Sequence, residues 1–152
     1  MIQRINSWTP EIARQKFLQC CGSRRWADQM TAVRPFASFE ALEETASAIW
    51  KGSTRDDILE AFSAHAKIGD HRGNAEQAGV RTAPETTLEE LARLNREYEA
   101  RFGFIYIVCA TGKSAEEMLA VLRRRLPNDP AQEIAIAAEE QRLIMQLRLK
   151  QL

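Results

Sequence analysis

The sequence predicts an all-α fold: a single-domain helical bundle of roughly seven to nine helices with one buried extended segment near residues 102–110. Two observations support this fold class. Apolar residues recur at helical spacing over most of the chain, and capping residues or prolines stand where those stretches begin. Only one run has the continuous apolar, β-branched and aromatic composition of a buried strand. The length of 152 residues is typical of one domain, so residues 1–152 are expected to form one.

The first part of the chain contains four predicted helices, at 10–22, 23–30, 38–50 and 53–64. Thr9 can cap the first of them, and Pro10 suits the first helical position. Pro35 ends the second region, because the residue before a proline avoids helical backbone angles. The third helix has the clearest pattern, since its apolar residues fall on one stripe: Phe39, Leu42, Ala46 and Ile49.

Three more helices are predicted in the second part, at 86–101, 114–126 and 131–152. Thr87 with Glu90, and Ser114 with Glu117, have the spacing of a capping box. The apolar face of the first of these helices contains Leu88, Leu91, Leu94 and Tyr98. The sequence Pro-Asn-Asp-Pro at 127–130 separates the last two, because proline interrupts a helix.

The run FGFIYIVCA at 102–110 is the exception to helical spacing. Its composition and Gly103 favour an extended conformation, with Ile105, Ile107 and Val108 packed in the core. The sequence contains no second convincing strand. The backbone of this run therefore needs other hydrogen-bond partners, which neighbouring side chains, water or a ligand could supply.

Composition and charge favour a protein that meets a small molecule or another protein. Lys plus Arg and Asp plus Glu both number 21, whereas a general nucleic-acid binder is usually basic. No apolar run is long enough to cross a membrane. The three cysteines, two of them adjacent, are expected to be reduced and buried in a cytoplasmic protein. The final Lys-Gln-Leu only faintly resembles a peroxisomal tail, so a peroxisomal location is the weaker alternative.

The stretch HAKIGDHRGNAEQAGV at 65–80 interrupts the helices and contains both histidines. His65 suits proton transfer, because the pKa of imidazole lies nearest neutrality. Glu76 and Gln77 follow, and a carboxylate and an amide beside a histidine can orient a polar ligand. The alternatives are a structural histidine and a solvated or helix-capping glutamate. The histidines lack metal-site spacing and the chain has no nucleotide-binding motif, so neither a metal nor a cofactor is expected.

Three stretches together resemble one family: HAKIG at 65–69, EQAG at 76–79 and LNREYEARFGFIYIVCA at 94–110. The sequence is similar to 2-oxo-4-hydroxy-4-carboxy-5-ureidoimidazoline decarboxylases, which act between urate and allantoin. Weaker similarity at 17–26 and 147–149 extends the resemblance over nearly the whole chain. It implies an all-helical, cofactor-free carboxy-lyase that is usually a homodimer and that produces (S)-allantoin and CO2.

The resemblance also implies roles for individual residues. His65 stands at the position of the proposed proton donor, and Glu76 joins it as a catalytic residue. Gln77 lies against the substrate in the family, and Arg148 in the last helix faces the same site. The other substrate-binding positions that it implies are Ala66, Gly73 and the backbone of Tyr106, Ile107, Val108, Cys109 and Ala110.

Two of these positions depart from the family pattern. Ala66 replaces the proline after the histidine, and Gly73 replaces a serine that would contact the substrate. His71, Arg72 or Asn74 could supply the missing contact. One alternative is therefore a decarboxylase or lyase for a related ureido compound, and the other is a non-enzymatic helical interaction domain.

Overall fold

The computed structural model describes residues 1–69 and 75–152, and this part of the chain contains eight α-helices and no strand. The helices are α1 (Ile2–Ser7), α2 (Pro10–Cys20), α3 (Arg24–Ala32), α4 (Phe39–Lys51), α5 (Arg55–Ser63), α6 (Glu85–Phe102), α7 (Ala115–Arg125) and α8 (Pro130–Leu149). A short 3-10 helix spans Ala75–Gln77. The predicted all-α fold class is confirmed.

Several helix starts have side-chain caps, and those of Thr9 and Ser114 follow the sequence prediction. The Thr9 and Ser38 side chains accept from the backbone N–H groups of α2 and α4. Thr54 and Ser114 form complete capping boxes at α5 and α7. These contacts satisfy amides that no preceding helical turn can reach.

Most helix bounds differ from the prediction by one to three residues. Two of the differences concern the cap of α6 and the end of α8. Thr87 does not cap α6, because the extended backbone of Pro84 (φ −59°, ψ 147°) already starts the helix, so Thr87 lies inside its first turn. α8 ends at Leu149 rather than at residue 152.

The short α1 was not predicted, since its residues show little periodicity. Tertiary contacts stabilise it: the Arg34 guanidinium donates to the carbonyls of Ile5 and Trp8 at 3.1 and 2.8 Å.

The chain forms two compact units, and the division falls within α8. The first comprises residues 1–64 and 141–152. Its core centres on Trp26, whose ring meets Phe17 edge to face and whose indole N–H donates to the Ala46 carbonyl at 3.0 Å. At α8, the Gln146 amide donates to the Ser47 hydroxyl at 2.8 Å.

The second unit comprises residues 65–140 and contains most of the residues predicted to act on a ligand. α6 packs on α7, and both helices contribute buried residues to its core: Leu88, Leu91, Leu94, Tyr98, Met118 and Leu122. α6 ends at Gly103, whose φ of 82° is a left-handed conformation that glycine adopts without strain.

The predicted extended run is shorter than expected. Phe102 belongs to α6 and Gly103 to its end, so the segment without helical or strand pattern is 105–110, which we call the apolar segment. Ile107 and Val108 are buried as predicted, but Ile105 is only partly buried. The prediction is therefore wrong for Phe102, because the left-handed turn that ends the helix lies one residue later.

Candidate active site

His65 lies directly after α5, in a short loop at 65–69 that we call the histidine loop. The imidazole and the neighbouring Ala66 are partly buried. The loop backbone has no helical pattern, so side chains from elsewhere in the second unit hold it. The Asn95 amide of α6 donates to the Ile68 carbonyl at 2.9 Å, and Lys67 pairs with Glu99 at 2.8 Å.

Gln77 connects the histidine loop to the 3-10 helix that contains Glu76. Its side-chain oxygen accepts the Gly69 N–H at 2.9 Å, and its side-chain nitrogen donates to the Lys67 carbonyl at 3.4 Å. Gln77 is buried and Glu76 is partly buried. The fold thus joins the turn of Glu76 and Gln77 to the loop of His65, two stretches that the sequence analysis had selected separately. The structure uses the Gln77 amide to hold backbone.

Gly79 fixes the other side of this turn. Its backbone pairs with that of Ser114 in parallel orientation. A Cβ atom at position 79 would lie 2.3 Å from the Lys113 carbonyl oxygen and 3.0 Å from the Cα of Ser114. Backbone cannot yield as a flexible side chain can, so this contact requires glycine. The contact sets how closely the 3-10 helix approaches the residues after the apolar segment.

The backbone of the apolar segment is held by charged side chains. The Arg125 guanidinium donates to the Ile107 carbonyl at 2.7 Å. The Cys109 N–H donates to a Glu140 carboxylate oxygen at 3.1 Å, and the Lys113 ammonium donates to the Cys109 carbonyl at 2.7 Å. Neighbouring side chains are thus among the partners that the sequence analysis had left open.

The guanidinium that binds the Ile107 carbonyl belongs to a buried cluster of Arg125, Glu133 and Tyr98. Arg125 is 5% exposed and Glu133 is fully buried, and the guanidinium Nε donates to the carboxylate at 2.6 Å. The Tyr98 hydroxyl also donates to Glu133, and Arg125 lies 5.0 Å from the centre of the Tyr106 ring. Burial alone would lower the pKa of Arg125, but the hydrogen bond with Glu133 holds it above its usual value. The guanidinium therefore stays charged and fixed on the Ile107 carbonyl.

Electrostatics relate Glu76 to the apolar segment. Burial raises the pKa of the Cys109 thiol, the Lys113 ammonium opposes that rise, and the carboxylates of Glu140 and Glu76 add to it. Glu76 is therefore close enough for its charge to act on Cys109. The raised pKa keeps the thiol protonated at neutral pH, and a buried protonated thiol is a poor nucleophile. The burial of Cys109 agrees with the expectation from sequence that the cysteines are buried.

Four buried residues of the apolar segment retain backbone amides that no protein group accepts. In residues 1–69 and 75–152, the amides of Tyr106, Ile107, Val108 and Ala110 donate to no protein acceptor. A buried amide without a partner is costly, so such groups usually meet water or a ligand. These amides are the strongest candidates within the segment for ligand contact.

Two predicted site residues cannot be compared with this arrangement. Gly73 lies outside the described residues, as do His71, Arg72 and Asn74. Arg148 belongs to the first compact unit, where its guanidinium donates to the Gln19 carbonyl at 3.4 Å. There it also lowers the pKa of the Cys21 thiol, which burial raises to about 12.

Sequence reasoning missed the residues that hold the two backbone stretches. Asn95 carried a signal, since it is a polar residue on the apolar face of α6, one turn from Leu91 and next to Leu94. Arg125 and Glu133 carried none, because each resembles an ordinary charged residue of an exposed helix face. The sequence around Glu140 and Lys113 likewise gave no indication that these side chains hold the apolar segment.

Two further features of the part of the chain that the structure describes are the grouping of its potential metal ligands and the apolar character of its helices. No group of three or more His, Cys, Asp or Glu side chains there is placed to hold a metal ion. No helix there is both long and apolar enough to cross a membrane.

Comparison with known proteins supplies an independent finding. Residues 6–150 match the family profile described as OHCU decarboxylase. The uric acid degradation bifunctional protein TTL of Arabidopsis thaliana is 40% identical in an alignment covering 93% of this chain and 48% of that protein. The 2-oxo-4-hydroxy-4-carboxy-5-ureidoimidazoline decarboxylase of Amia calva is 41% identical over 56% of this chain and 49% of that protein. The chain thus spans about half the length of these relatives.

A solved structure gives the same likeness at nearly full length. It is described as OHCU decarboxylase in the presence of (S)-allantoin, and it superposes with a TM-score of 0.83 at 41% identity. The match covers 90% of this chain and 95% of that chain.

Proposed function

This chain belongs to the OHCU decarboxylase family, and we propose that it converts 2-oxo-4-hydroxy-4-carboxy-5-ureidoimidazoline (OHCU) to (S)-allantoin and CO2 in urate degradation. The observation that carries the proposal is the Gln77 amide, which joins the loop of His65 to the turn of Glu76. A candidate proton donor and a carboxylate are thereby held in one unit of the fold, beside buried backbone amides.

The chemistry needs no electron sink from the protein. In OHCU a conjugated C=N group adjoins the carbon that loses CO2, so the electron pair of the breaking C–C bond can move into the ring. The protein then has to orient the carboxylate, stabilise the developing charge and deliver one proton to the adjacent ring carbon, which bears the ureido group. The carbon that lost CO2 keeps its oxygen and becomes the carbonyl of allantoin as its hydroxyl proton leaves. These tasks suit hydrogen-bond donors that are fixed before the substrate arrives.

We assign these tasks to residues as follows. His65 protonates the ring carbon on one face, which determines the (S) configuration. Glu76 accepts hydrogen bonds from the ureido or ring N–H groups. The amides of Val108 and Ala110 donate hydrogen bonds to the negative charge that develops on the substrate. Ala66, Gly73, Gln77 and Arg148 complete the substrate contacts that the family resemblance implies, together with the backbone of Tyr106, Ile107 and Cys109.

The direct test is turnover of freshly generated OHCU. CO2 release should accelerate with protein, and circular dichroism should show one enantiomer of allantoin. Activity should persist after dialysis against a chelator, because we expect no cofactor. Racemic allantoin formed at the uncatalysed rate would contradict the proposal.

A related ureido compound is a second candidate substrate, because Gly73 stands where the family has a serine. The variant Gly73→Ser separates the two readings. If OHCU is the substrate and another group supplies the contact, the serine should change kcat/KM only slightly. A large gain on OHCU would indicate that the native chain prefers another compound.

We also propose a homodimer and a cytoplasmic location, with a peroxisomal location as the alternative. The dimer rests on the family resemblance, and the location is supported by three buried cysteines, none of which forms a disulfide. Sedimentation at several concentrations should give twice the chain mass. Cell fractionation should place the protein with cytoplasmic markers, and a concentration-independent monomer would overturn the dimer.

A further inference from the structure

The histidine loop is held by two buried amide side chains that act on three consecutive residues. Asn95 donates to the carbonyl of Ile68, while Gln77 binds the backbone of Lys67 and of Gly69. Asn95 is 6% exposed and Gln77 is 4% exposed. Each backbone position from 67 to 69 is thus fixed by one of these two amides.

Asn95 projects from a part of α6 that is otherwise apolar. Leu91, Leu94 and Tyr98 are its buried neighbours along the helix face. A buried amide is costly unless it is hydrogen-bonded, so an apolar residue would serve packing alone at least as well. The bond to Ile68 is what distinguishes asparagine from leucine at this position.

We infer that Asn95 is a positioning residue for His65, an inference that rests on the proposed function. Ile68 follows His65 by three residues, and α6 is an 18-residue helix that provides a rigid support. Fixing the Ile68 carbonyl fixes the path of the loop, and with it the place from which the imidazole reaches the substrate. Asn95 itself acts only through the loop.

The test is the variant Asn95→Asp, which keeps the size of the side chain but replaces its N–H donor with an oxygen. That oxygen would face the Ile68 carbonyl and repel it. A displacement of about 1 Å in a catalytic group can lower a rate roughly 100-fold, so we expect kcat to fall roughly 10- to 100-fold while KM stays within about twofold. Asn95→Leu, which removes the donor without adding charge, should lower kcat in the same direction.

Leu94→Ala is the matched control. Leu94 is the preceding residue of the same helix and is 5% exposed, but it is not bonded to the loop. Its truncation should lower Tm and leave kcat within about twofold at a temperature where the protein stays folded, since the effect of a core cavity is mainly on stability. If Asn95 were merely structural, both substitutions would lower Tm and neither would lower kcat.

A double variant provides the second readout. Once His65→Gln has removed the proton donor, adding Asn95→Asp should lower the residual turnover little further, because the two residues act as one unit. Equal losses in both backgrounds would overturn the inference, as would wild-type kcat in folded Asn95 variants. Failure of both Asn95 variants to fold would also overturn it, by making Asn95 a residue of the core. Absence of turnover in the wild type would instead contradict the proposed function.

Discussion

Two non-helical stretches of the second unit are held in chemically different ways. The histidine loop is bound mainly by the neutral amides of Gln77 and Asn95. The apolar segment is bound by the charged groups of Arg125, Lys113 and Glu140. Both stretches lack the repeating backbone bonds of a helix or a sheet, so each depends on side chains for its shape.

This difference predicts that the histidine loop and the apolar segment respond differently to substitution of the side chains that hold them. A neutral hydrogen bond contributes about 0.5–1.5 kcal/mol net, and one to a charged group about 1.5–3 kcal/mol. The apolar segment is therefore the more rigidly held of the two, which suits backbone amides that must not move as charge develops on a substrate. The histidine loop can be perturbed by a single amide without unfolding its unit. Loop variants should consequently change rates, and segment variants should change stability.

The largest effect on rate is expected at His65. His65→Gln keeps a polar side chain but removes the titrating imidazole, so kcat should fall roughly 10²–10⁴-fold, the usual contribution of a general acid. The product should drift toward the racemate, because uncatalysed protonation has no facial preference. Circular dichroism of the allantoin formed, alongside a thermal melt, measures both. A folded variant that produces one enantiomer at the wild-type rate would show that His65 only fills space.

The largest effect on stability is expected at Arg125. Arg125→Met removes the guanidinium from a fully buried Glu133 and from the Ile107 carbonyl, and leaving a buried charge unpaired costs about 3–5 kcal/mol. Urea denaturation followed by circular dichroism measures the free energy of unfolding. Arg123→Met is the matched control, since Arg123 lies on the same helix as Arg125 and its exposed guanidinium is 3.5 Å from Glu90 of α6. Its loss should cost about 1 kcal/mol or less.

A double variant separates the loss of the Arg125 hydrogen bonds from the cost of leaving the Glu133 charge unpaired. Adding Glu133→Leu to Arg125→Met removes the stranded charge, so the double variant should recover part of the lost stability. If Arg125→Met costs no more than Arg123→Met, the apolar segment is not held by this cluster.

These comparisons also show what sequence can and cannot predict. The caps Thr9 and Ser114 act on residues three positions away, so local sequence was sufficient to find them. The start of α6 was predicted to within one residue, but its cap was predicted wrongly, because Thr87 offered a plausible cap while Pro84 occupies the cap position. Local signals compete, and sequence alone does not decide between them.

For the candidate site, too, the sequence predicted the residues that stand in motifs but not the residues that hold them in place. Resemblance identified His65, Glu76 and the apolar run, because these stand in short motifs. The residues that hold them are distant in sequence: Asn95 is 27 positions from Ile68, and Glu140 is 31 from Cys109. Such partners follow from the packing of α6 and α8 against the two stretches, which no local pattern encodes.

A smaller effect, on both rate and stability, is expected at Gly79. Gly79→Ala would place a Cβ atom 2.3 Å from the Lys113 carbonyl oxygen, so the turn that contains Glu76 must move. Overpacking of this kind costs about 1–3 kcal/mol, and kcat should fall because Glu76 shifts with the turn. Gly52→Ala is the control, since its Cβ would come no closer than 3.4 Å to another group, and that group is the flexible end of Arg25. Equal kcat and Tm in the two variants would mean that the close approach does not position the turn.

The smallest effect is expected at Cys109 and appears only in alkali. Burial raises the pKa of its thiol above the ordinary value of about 8.5, so the unfolded chain loses this proton at lower pH than the folded one. The stabilisation is therefore complete below about pH 8.5 and is lost as pH rises through the pKa of the folded state. Urea denaturation between about pH 8 and pH 10 should show a steeper fall in unfolding free energy for the wild type than for Cys109→Ala. Leu94→Ala, a buried truncation beside the residue that holds the histidine loop, should keep the wild-type slope. Equal slopes for wild type and Cys109→Ala would show that this thiol is as accessible to solvent in the folded protein as in the unfolded one.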